Sequence, residues 1–564
     1  MTPSSPSVPE NSTALSRFLE ILPEDLELKL FALMSGGPVD AASIESELGK
    51  VDWQTHRDVV EDLLREYLPI GELVPDIYEK WRPVVRDGFA FIGARLSPER
   101  LVPKLVEQLS LPDTAAVEDR ILAFVKRTPT LQKIGQIVAR NESLDAEFRK
   151  RLTVLEDGIH EVDEQEIRQE IETQLSARLV EQQVELQPGL YAEGSVSALM
   201  RFTRAASSDV LPANGVFKVL KPFITKYFQE DLDLLAELGD YFEANQKNYE
   251  LEQLNLRDIV DNVRELFERE TDFVHERVSM QAAARRYAAV PRIRIPKPID
   301  ALSTSTITAM TEERSVKITD AFAGDPQRRR DLTQRLVECL VARPIFSSEE
   351  LSPFHADPHA GNIRVDESNG DIVLLDWALT DSLTTEDRRC LILLFVALPL
   401  RDEGQVLAAL SELSLSATEG GADLLRRQIE SFIDALPLGS IPGTGSLTNL
   451  VGRLLRAGAR FSGSFLIFRK MLSTLGDVVE QISPGITVEQ VVVEYALARG
   501  FKNNCTPGAP KPEFTNPLRP SDVARIVLSA QSFLPRVWLQ SWRSIARNVG
   551  ILPRPGSPTG MEQH

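Results

Sequence analysis

The spacing of apolar residues predicts helices over most of the chain and a group of short strands in its middle. From Leu15 to about Ile121, apolar residues recur three and four positions apart, as in RDVVEDLLREYL, which is the period of an amphipathic helix. The helical pattern continues from Val117 to Gln187, where the acidic stretch EVDEQEIRQEIETQ is typical of a solvated helix face. The opening residues MTPSSPSVPENST contain no apolar run and predict a disordered lead.

The period of the pattern changes in the middle of the chain. β-Branched and aromatic residues gather in GVFKVL (215–220), STITAM (305–310) and DIVLLDWA (371–378), and each run predicts a strand. After Thr384 the helical pattern returns and lasts to about Gly500, with the loop PLGSIPGTGS (437–446) inside it. This order predicts a bilobal α+β protein that is mostly α-helical. The predicted domains are a disordered lead (1–14), an N-terminal helical region (15–120), a helical extension (121–187), an N-lobe with inserted helices (188–310), a helical C-lobe (311–500) and a Pro-rich linker with an amphipathic tail (501–564).

Composition narrows the class of protein. The 564 residues carry a net charge of −20, which argues against nucleic acid as a partner. Three cysteines without CxxC spacing support neither a disulfide framework nor a zinc site, so a reducing cytoplasm fits best. The longest apolar run, Cys390 to Leu400, is shorter than the about 18–20 residues of a membrane-spanning helix. These features predict a cytoplasmic protein, either soluble or peripheral to a membrane.

The densest group of chemically active residues is HADPHAGN (355–362). Asp357 is followed five positions later by Asn362, and a strand leads to a second carboxylate, Asp376. Phosphoryl transfer needs this set, because one carboxylate orients the attacking hydroxyl while an amide and a second carboxylate hold Mg²⁺ on the nucleotide phosphates. Two other interpretations stay open: an Asx-rich turn that caps backbone groups, and a zinc or iron site formed by His355, Asp357 and His359.

Two charged residues upstream fit the same chemistry. Lys218 lies in the predicted strand GVFKVL, from which a lysine can reach nucleotide phosphates. The helical segment ERETDFVHE follows, with Glu270, Asp272 and Glu276 among its acids. A kinase-type site needs such a glutamate to hold the lysine forward.

Together these segments resemble the UbiB/AarF atypical kinase-like proteins, a family associated with ubiquinone and other isoprenoid-lipid metabolism. HADPHAGN differs from the family's HADPHPGN at Ala360 alone, and TPTLQKIGQIVARNESL (128–144) is similar to its KxGQ helix at Lys133, Gly135 and Gln136. The ExD motif is matched by Glu270 and Asp272, with Glu276 at the following glutamate, and residues 290–320 resemble the strand and hinge region. The likeness extends over about residues 115–500.

The resemblance implies a protein-kinase-like fold in which the KxGQ segment obstructs access by protein substrates. It implies that Lys218 contacts phosphates and pairs with Glu270, that Asp357 is the catalytic carboxylate, and that Asn362 and Asp376 bind Mg²⁺. The nucleotide-binding residues that it implies are Ala192, Gly194, Ser195, Lys218, Met310, Glu312, Lys133 and Gln136. The implied activity is binding and hydrolysis of ATP (with ADP as the other nucleotide) in support of isoprenoid-quinone or other lipid metabolism.

Two segments depart from the family pattern. The nucleotide loop, usually AxAS, is here Tyr191-Ala192-Glu193-Gly194-Ser195. Gly194 favours close approach of backbone N–H groups to an anion, whereas Glu193 adds negative charge unless its side chain points elsewhere. The metal-binding DFG becomes Asp376-Trp377-Ala378, which keeps the ligand and loses the glycine pivot.

Two other functions remain compatible with these residues. DW after a DxHxGN loop is also similar to the aminoglycoside and choline phosphotransferases, which phosphorylate small alcohols. The KIGQ helix and the ExD helix favour the UbiB-like interpretation over that one. A nucleotide-binding scaffold without turnover is the third hypothesis, and the presence of Lys218, Glu270 and Asp357 counts against it.

The tail has a different character from the rest of the chain. Between Arg519 and Asn548 there are five Arg and one Asp, a net charge of +4, with Phe533, Trp538 and Trp542 among aliphatic residues. Basic residues beside tryptophans on a helix can lie in a membrane interface. The alternative is a helix docked on the protein's own acidic surface. A lipid or phenolic isoprenoid and a membrane surface are therefore the expected partners besides the nucleotide.

Overall fold

The protein forms two compact units, each of which draws on two stretches of the chain. The computed structural model describes residues 13–34, 40–68, 70–74, 76–112, 115, 117–133, 161–204, 212–249, 255–414, 421–437, 442–504 and 516–548. The first unit comprises residues up to His275 together with Pro298–Glu312. The second comprises Glu276–Lys297 and the chain from Glu313 onward. The predicted disordered lead falls almost entirely outside the described residues.

Helices outnumber strands within the described residues. The α-helices of at least eight residues are α1 (Thr13–Glu20), α2 (Glu24–Met34), α3 (Ala41–Leu48), α4 (Arg57–Tyr67), α5 (Arg82–Arg95), α6 (Pro98–Ser110), α7 (Val117–Val125), α8 (Glu164–Glu181), α9 (Pro222–Asn245), α10 (Leu256–Thr271), α11 (Phe273–Tyr287), α12 (Pro326–Val337), α13 (Thr385–Ala397), α14 (Glu403–Leu413), α15 (Gly421–Ala435), α16 (Thr444–Arg456), α17 (Gly463–Ile482), α18 (Val488–Asn504), α19 (Pro520–Gln531) and α20 (Phe533–Asn548). The strands are β1 (Val184–Glu193), β2 (Ser197–Arg204), β3 (Asn214–Leu220), β4 (Ile293–Arg294), β5 (Ile307–Thr311), β6 (Val316–Lys317), β7 (Leu351–His355), β8 (Ile363–Asp366), β9 (Asp371–Leu374) and β10 (Thr380–Thr384). The predicted α+β class with a mostly helical chain is confirmed.

The N-terminal helices of the first unit share one apolar core. Leu15, Phe18, Leu63 and Leu64 are buried there, and the core continues through α5–α7 to the inner face of α9. Each helix contributes residues spaced three or four apart, so that its apolar stripe faces the core. The predicted helical pattern therefore reflects packing within this unit.

An antiparallel sheet of order β1-β2-β3-β5 forms the rest of the first unit. Helix α8 buries one stripe, Ile167, Ile171, Leu175 and Leu179, in the apolar core that the sheet residues share. The predicted helix to Gln187 ends too late: α8 stops at Glu181 and residues from Val184 onward belong to β1. Gln183 takes a positive φ of 53°, which turns the chain from helix to strand.

The second unit contains two small sheets and a set of helices. Its four-stranded sheet has the order β4-β9-β8-β6, and β7 pairs with β10 in a separate two-stranded ribbon. The predicted strand 371–378 is too long, because β9 ends at Leu374. Asp376 lies beyond it with a φ of 52°, a left-handed conformation that interrupts the extended chain. Among the described helices, none is both long and apolar enough to cross a membrane.

Candidate active site

The predicted nucleotide loop is the tight turn between β1 and β2 in the first unit. Ala192 and Glu193 pair with Leu199 and Ala198, so the turn is held at the end of the sheet. The backbone N–H of Gly194 donates to the carbonyl oxygen of Ser197 at 2.8 Å. The N–H of Gly194 itself therefore closes the turn, and the expectation that this glycine lets other backbone N–H groups approach an anion stays a prediction. Ser195 lies in the same turn.

The sequence left open which way the Glu193 side chain points, and in the structure it points into the protein. Its side chain is 4% exposed and accepts from the Lys221 ammonium at 3.0 Å and from the backbone N–H of Glu161 at 2.9 Å. Lys221 also pairs with the Glu161 carboxylate at 2.7 Å, and both of these side chains are 1% exposed. Because a buried cation faces it, Glu193 does not present an uncompensated charge at the loop.

Lys218 lies where the sequence predicted, in the middle of β3. It is opposite Leu199 of β2 and Thr308 of β5, and it is 9% exposed. Its ammonium is 5.1 Å from the centroid of the Phe273 ring, within range of a cation–π contact. Strand β3 is paired with β2 on one side and β5 on the other, and these two neighbours hold the position of Lys218.

Glu270 is bound by a lysine of the KxGQ segment. Lys133 is 4% exposed at its side chain, and its ammonium donates to Oε2 of Glu270, which lies in the last turn of α10. The resemblance implied Lys218 as the partner of Glu270, and the structure supplies Lys133 as one partner. Residues 129–133 are helical, whereas Gly135 and Gln136 lie outside the described residues.

The ExD motif spans a break between two helices. The sequence predicted one helical segment, but α10 ends at Thr271 and α11 begins at Phe273. Asp272 stands between them, and its Oδ1 accepts from the backbone N–H of His275 at 2.9 Å. An aspartate caps the first turn of a helix in this way. Glu276, the next acid, is buried at 1% exposure in the second unit.

The two hinge residues lie on or just after β5. Met310 pairs with Val216 of β3 and is bridged to Pro298. Glu312 follows the strand, and its carboxylate is 3.0 Å from Nε of Arg201 on β2. Both positions are therefore fixed relative to the strand that carries Lys218.

In the second unit, His355 organises the HADPHAGN loop. Its Nε2 contacts the carbonyl oxygen of Leu375 at 3.0 Å, and its Nδ1 contacts the backbone N–H of Asp357 at 3.2 Å. A carbonyl can only accept and an N–H can only donate, so the imidazole is neutral with its proton on Nε2. Burial lowers the pKa of His355 and keeps it in this form. The ring also packs edge-on against Trp377, with centroids 4.8 Å apart.

These contacts bear on the alternative metal site. A neutral histidine whose two ring nitrogens are both hydrogen-bonded has no lone pair directed at a cation. His355 therefore does not fit the proposed zinc or iron site with Asp357 and His359. The second histidine, His359, accepts from the backbone N–H of Gly361 at 3.0 Å and so shapes the turn.

The loop also places Asn362 beside Asp376. Asn362 immediately precedes β8 and Leu375 immediately follows β9, and the N–H of Leu375 donates to the Asn362 carbonyl at 2.8 Å. The side-chain amide nitrogen of Asn362 donates to the Asp357 carbonyl oxygen at 3.1 Å. Asp376 accepts from the backbone N–H of Ala378 at 3.2 Å through Oδ1. One end of the β8–β9 hairpin therefore carries the amide and the carboxylate that the sequence assigned to Mg²⁺.

Sequence reasoning missed two groups that support these segments. Lys221 lies three positions after Lys218, and a second lysine so close to the first is the signal that could have found it. The sequence argument on the DFG segment concerned the glycine lost at Ala378 and gave Trp377 no role, whereas Trp377 is 4% exposed and packs against His355. The pairing of Lys221 with Glu161 had no signal, since 60 residues separate the two.

A mostly helical α+β protein with a strand lysine, a helix glutamate and an Asp…Asn…Asp set at a hairpin is of the protein-kinase-like class. Comparison with known proteins identifies the particular family: residues 154–410 match the ABC1 atypical kinase-like domain. The resemblance to the UbiB/AarF family is thereby confirmed for these residues.

Several relatives carry kinase names. The chain is 24% identical over 376 residues to "Protein ACTIVITY OF BC1 COMPLEX KINASE 7, chloroplastic" of Arabidopsis thaliana, covering 65% of this chain and 52% of that protein. It is 23% identical over 391 residues to a "Probable protein kinase UbiB" of Cellvibrio japonicus, covering 67% of this chain and 68% of that protein. A second UbiB, from Marinobacter nauticus, is 27% identical over 295 residues, with 51% and 52% covered. The chain thus spans little more than half the length of several of these relatives.

One solved structure is also similar. It is the complex of Rv3197 with erythromycin from Mycobacterium tuberculosis, at 15% identity and a TM-score of 0.38, covering 70% of this chain and 96% of that one.

Proposed function

We propose that this protein binds a magnesium nucleotide and hydrolyses ATP as an atypical kinase-like ATPase. The observation that carries the proposal is the β8–β9 hairpin, whose one end holds Asn362 and Asp376 next to the loop of Asp357. Three oxygen-bearing side chains in one short segment are what phosphoryl transfer requires. The family membership of residues 154–410 supports the same activity.

The residues present fit a magnesium ion. Mg²⁺ prefers hard oxygen ligands and takes one or two protein groups together with phosphates and water. The amide nitrogen of Asn362 is used by the Asp357 carbonyl, so its oxygen is the atom left to serve as a ligand. Asp376 would supply the carboxylate. When bound, the ion would neutralise charge on the nucleotide phosphates.

Each remaining residue has a role that its environment supports. Asp357 would orient the attacking hydroxyl or water, since its loop is fixed by His355. Lys218 would contact phosphates from the central strand β3. Lys133 and Glu270 would shape the nucleotide pocket as a pair. We assign Ala192, Gly194, Ser195, Met310, Glu312 and Gln136 to nucleotide binding on the resemblance.

The metabolic setting is part of the proposal. We infer that the activity serves isoprenoid-quinone or other lipid metabolism, because the domain belongs to a family with that association. The protein would act in the cytoplasm or at a membrane surface, and a phenolic isoprenoid would be its lipid partner. ATP turnover that depends on such a lipid is the expected property.

The test compares ATP hydrolysis by the full chain and by Asp357→Asn, with and without a phenolic lipid in detergent micelles. We expect the variant to bind nucleotide as the parent does and to release phosphate at least about a hundredfold more slowly, since its carboxylate acts in the chemical step. Asp320→Asn is the matched control, because Asp320 is an exposed acid of the same unit whose Oδ1 accepts a hydrogen bond from Thr319. Equal rates in all three proteins would refute the role of Asp357.

The same assay, run with choline or an aminoglycoside added, separates the two alternative functions. Phosphate transfer to choline or an aminoglycoside at a rate above hydrolysis would favour a small-molecule phosphotransferase. Nucleotide binding without any turnover in the parent would favour a scaffold.

A further inference from the structure

The two C-terminal helices, α19 and α20, turn their polar residues toward the protein. Asp522 is 1% exposed and pairs with the guanidinium of Arg389 at 2.7 Å. Gln540 is 7% exposed, donates to the carbonyl of Ile433 at 2.8 Å and accepts from Arg401 at 2.8 Å. The tail is therefore docked on the second unit, as one of the two sequence interpretations predicted.

A third contact lies between the other two. The carboxylate of Asp402 accepts from the Ser529 hydroxyl at 2.5 Å and from the Arg536 guanidinium at 2.7 Å. Ser529 is 2% exposed. The docked tail thus makes hydrogen bonds and ion pairs along the length of both helices. These contacts determine the side of each helix that faces outward.

The outward side is apolar, the reverse of an ordinary surface helix. Seven of the thirteen exposed large apolar side chains among the described residues belong to these two helices, and together they form what we term the tail ridge: Val523, Val527, Leu528, Leu534, Trp538, Leu539 and Trp542. Leu534, Trp538 and Trp542 follow one another at intervals of four and so share one helix face. They are 74%, 68% and 55% exposed. Exposed apolar patches of this kind mark interaction sites.

The charge of the same segment selects the partner. From Val523 to Met561 the sequence contains five arginines and no acidic residue, in a chain with 83 acidic side chains. Arg525 is exposed on α19 beside the tail ridge. In an isologous contact with a second copy, this basic segment would face itself. An anionic surface would instead attract the arginines other than Arg536, whose guanidinium is already paired with Asp402, while burying the ridge.

We propose that the tail ridge lies in the interface of a bilayer that contains anionic lipid. Tryptophans prefer the boundary between headgroups and acyl chains, and arginines beside them contact lipid phosphates. With lengths of 12 and 16 residues, α19 and α20 would lie on the membrane and not span it. The net negative charge of the rest of the chain is screened beyond about 8 Å at physiological salt, so local attraction at the tail decides the contact.

The test is flotation of the full chain with vesicles of phosphatidylcholine alone and with equal parts of phosphatidylglycerol. We expect binding to the anionic vesicles, at least tenfold weaker in the double variant Trp538→Ser, Trp542→Ser. Arg525→Gln should weaken the same binding by about fivefold, the factor for one basic side chain near an anionic surface. Leu28→Ser is the control, because Leu28 is 68% exposed in the first unit and should bind as the parent does.

Tryptophan emission gives a second readout that needs no nucleotide. Of the three tryptophans outside the ridge, Trp53 and Trp377 are buried at 2% and 4% exposure and Trp81 is half-buried against the core of the first unit. A blue shift on vesicle addition should therefore come from the ridge and vanish in the double variant. The proposal is overturned if the parent does not bind anionic vesicles, or if the double variant binds them as the parent does. Sedimentation showing a lipid-free dimer that the double variant loses would assign the ridge to a second copy and overturn it as well.

Discussion

Replacement of Lys221 by methionine should destabilise the nucleotide loop more than any surface charge change would. Lys221 is the cation between the carboxylates of Glu161 and Glu193, at 2.7 and 3.0 Å. Methionine keeps the length of the side chain and removes the charge. Two carboxylates would then lie together in a site where the parent side chains are between 1% and 4% exposed.

The magnitude follows from the burial. Removing one partner of a buried ion pair costs about 3–5 kcal/mol, because the other charge stays desolvated and unpaired. Here two carboxylates, Glu161 and Glu193, lose the same cationic partner. One of them can take up a proton, or it can reach water if the β1–β2 turn opens. We therefore expect the free energy of local opening at this turn to fall by about 3–5 kcal/mol, within the range for a buried pair.

Hydrogen exchange with mass spectrometry measures this opening directly. Amides between Tyr191 and Ala198 should exchange faster in Lys221→Met, and adding Glu193→Gln should recover part of the protection because it removes one of the two anions. Lys226→Met is the matched control five residues further along, in the first turns of α9, since Lys226 and its partner Glu99 are 55% and 63% exposed. If Lys221→Met exchanges like the control, the buried charges are not what holds the turn.

Three further outcomes are expected. Asp376→Asn should weaken Mg²⁺-dependent nucleotide binding at least about tenfold in calorimetry while the fold survives, because it removes an anionic oxygen ligand; unchanged affinity would contradict the metal assignment. Lys133→Ala should lower the unfolding free energy by about 1–3 kcal/mol and alter the ratio of ADP to ATP affinity, since Glu270 loses a buried partner; a variant identical to the parent in both would leave the pair without a role. Burial lowers the pKa of Lys104 from 10.5 to about 7. Between pH 7 and pH 10.5 the unfolded chain therefore binds more protons at this lysine than the folded protein does. The free energy of unfolding should rise with pH over this range, by up to about 5 kcal/mol. Lys104→Met should flatten this dependence in denaturant titrations, and an equal slope in both proteins would show that Lys104 stays charged.

The residues of the metal half of the site could be predicted because they are close in the chain. Asp357, Asn362 and Asp376 lie within twenty residues on a hairpin, and a hairpin brings such residues together whatever surrounds it. The strand of Lys218 was equally predictable, since alternation and β-branched residues are local signals. Boundaries were less certain: Gln187 and Asp376 were assigned to the wrong element because a turn at a positive φ leaves no mark in periodicity.

Tertiary structure alone decided which charges meet. Lys133 and Glu270 are 137 residues apart, and with 63 basic and 83 acidic side chains no sequence rule selects that pair. Glu193 shows the same limit, because its effect on the loop depends on a buried Lys221 with which it pairs.

The tail shows the division most clearly. Its sequence determined that the helices are amphipathic and basic, which composition and spacing record directly. Whether the apolar or the polar side faces the protein depends on Arg389, Asp402 and Arg401, which lie more than a hundred residues away and offer charged partners. Burying a polar group is favourable only where a partner exists, so the position of those partners turned the tryptophans outward.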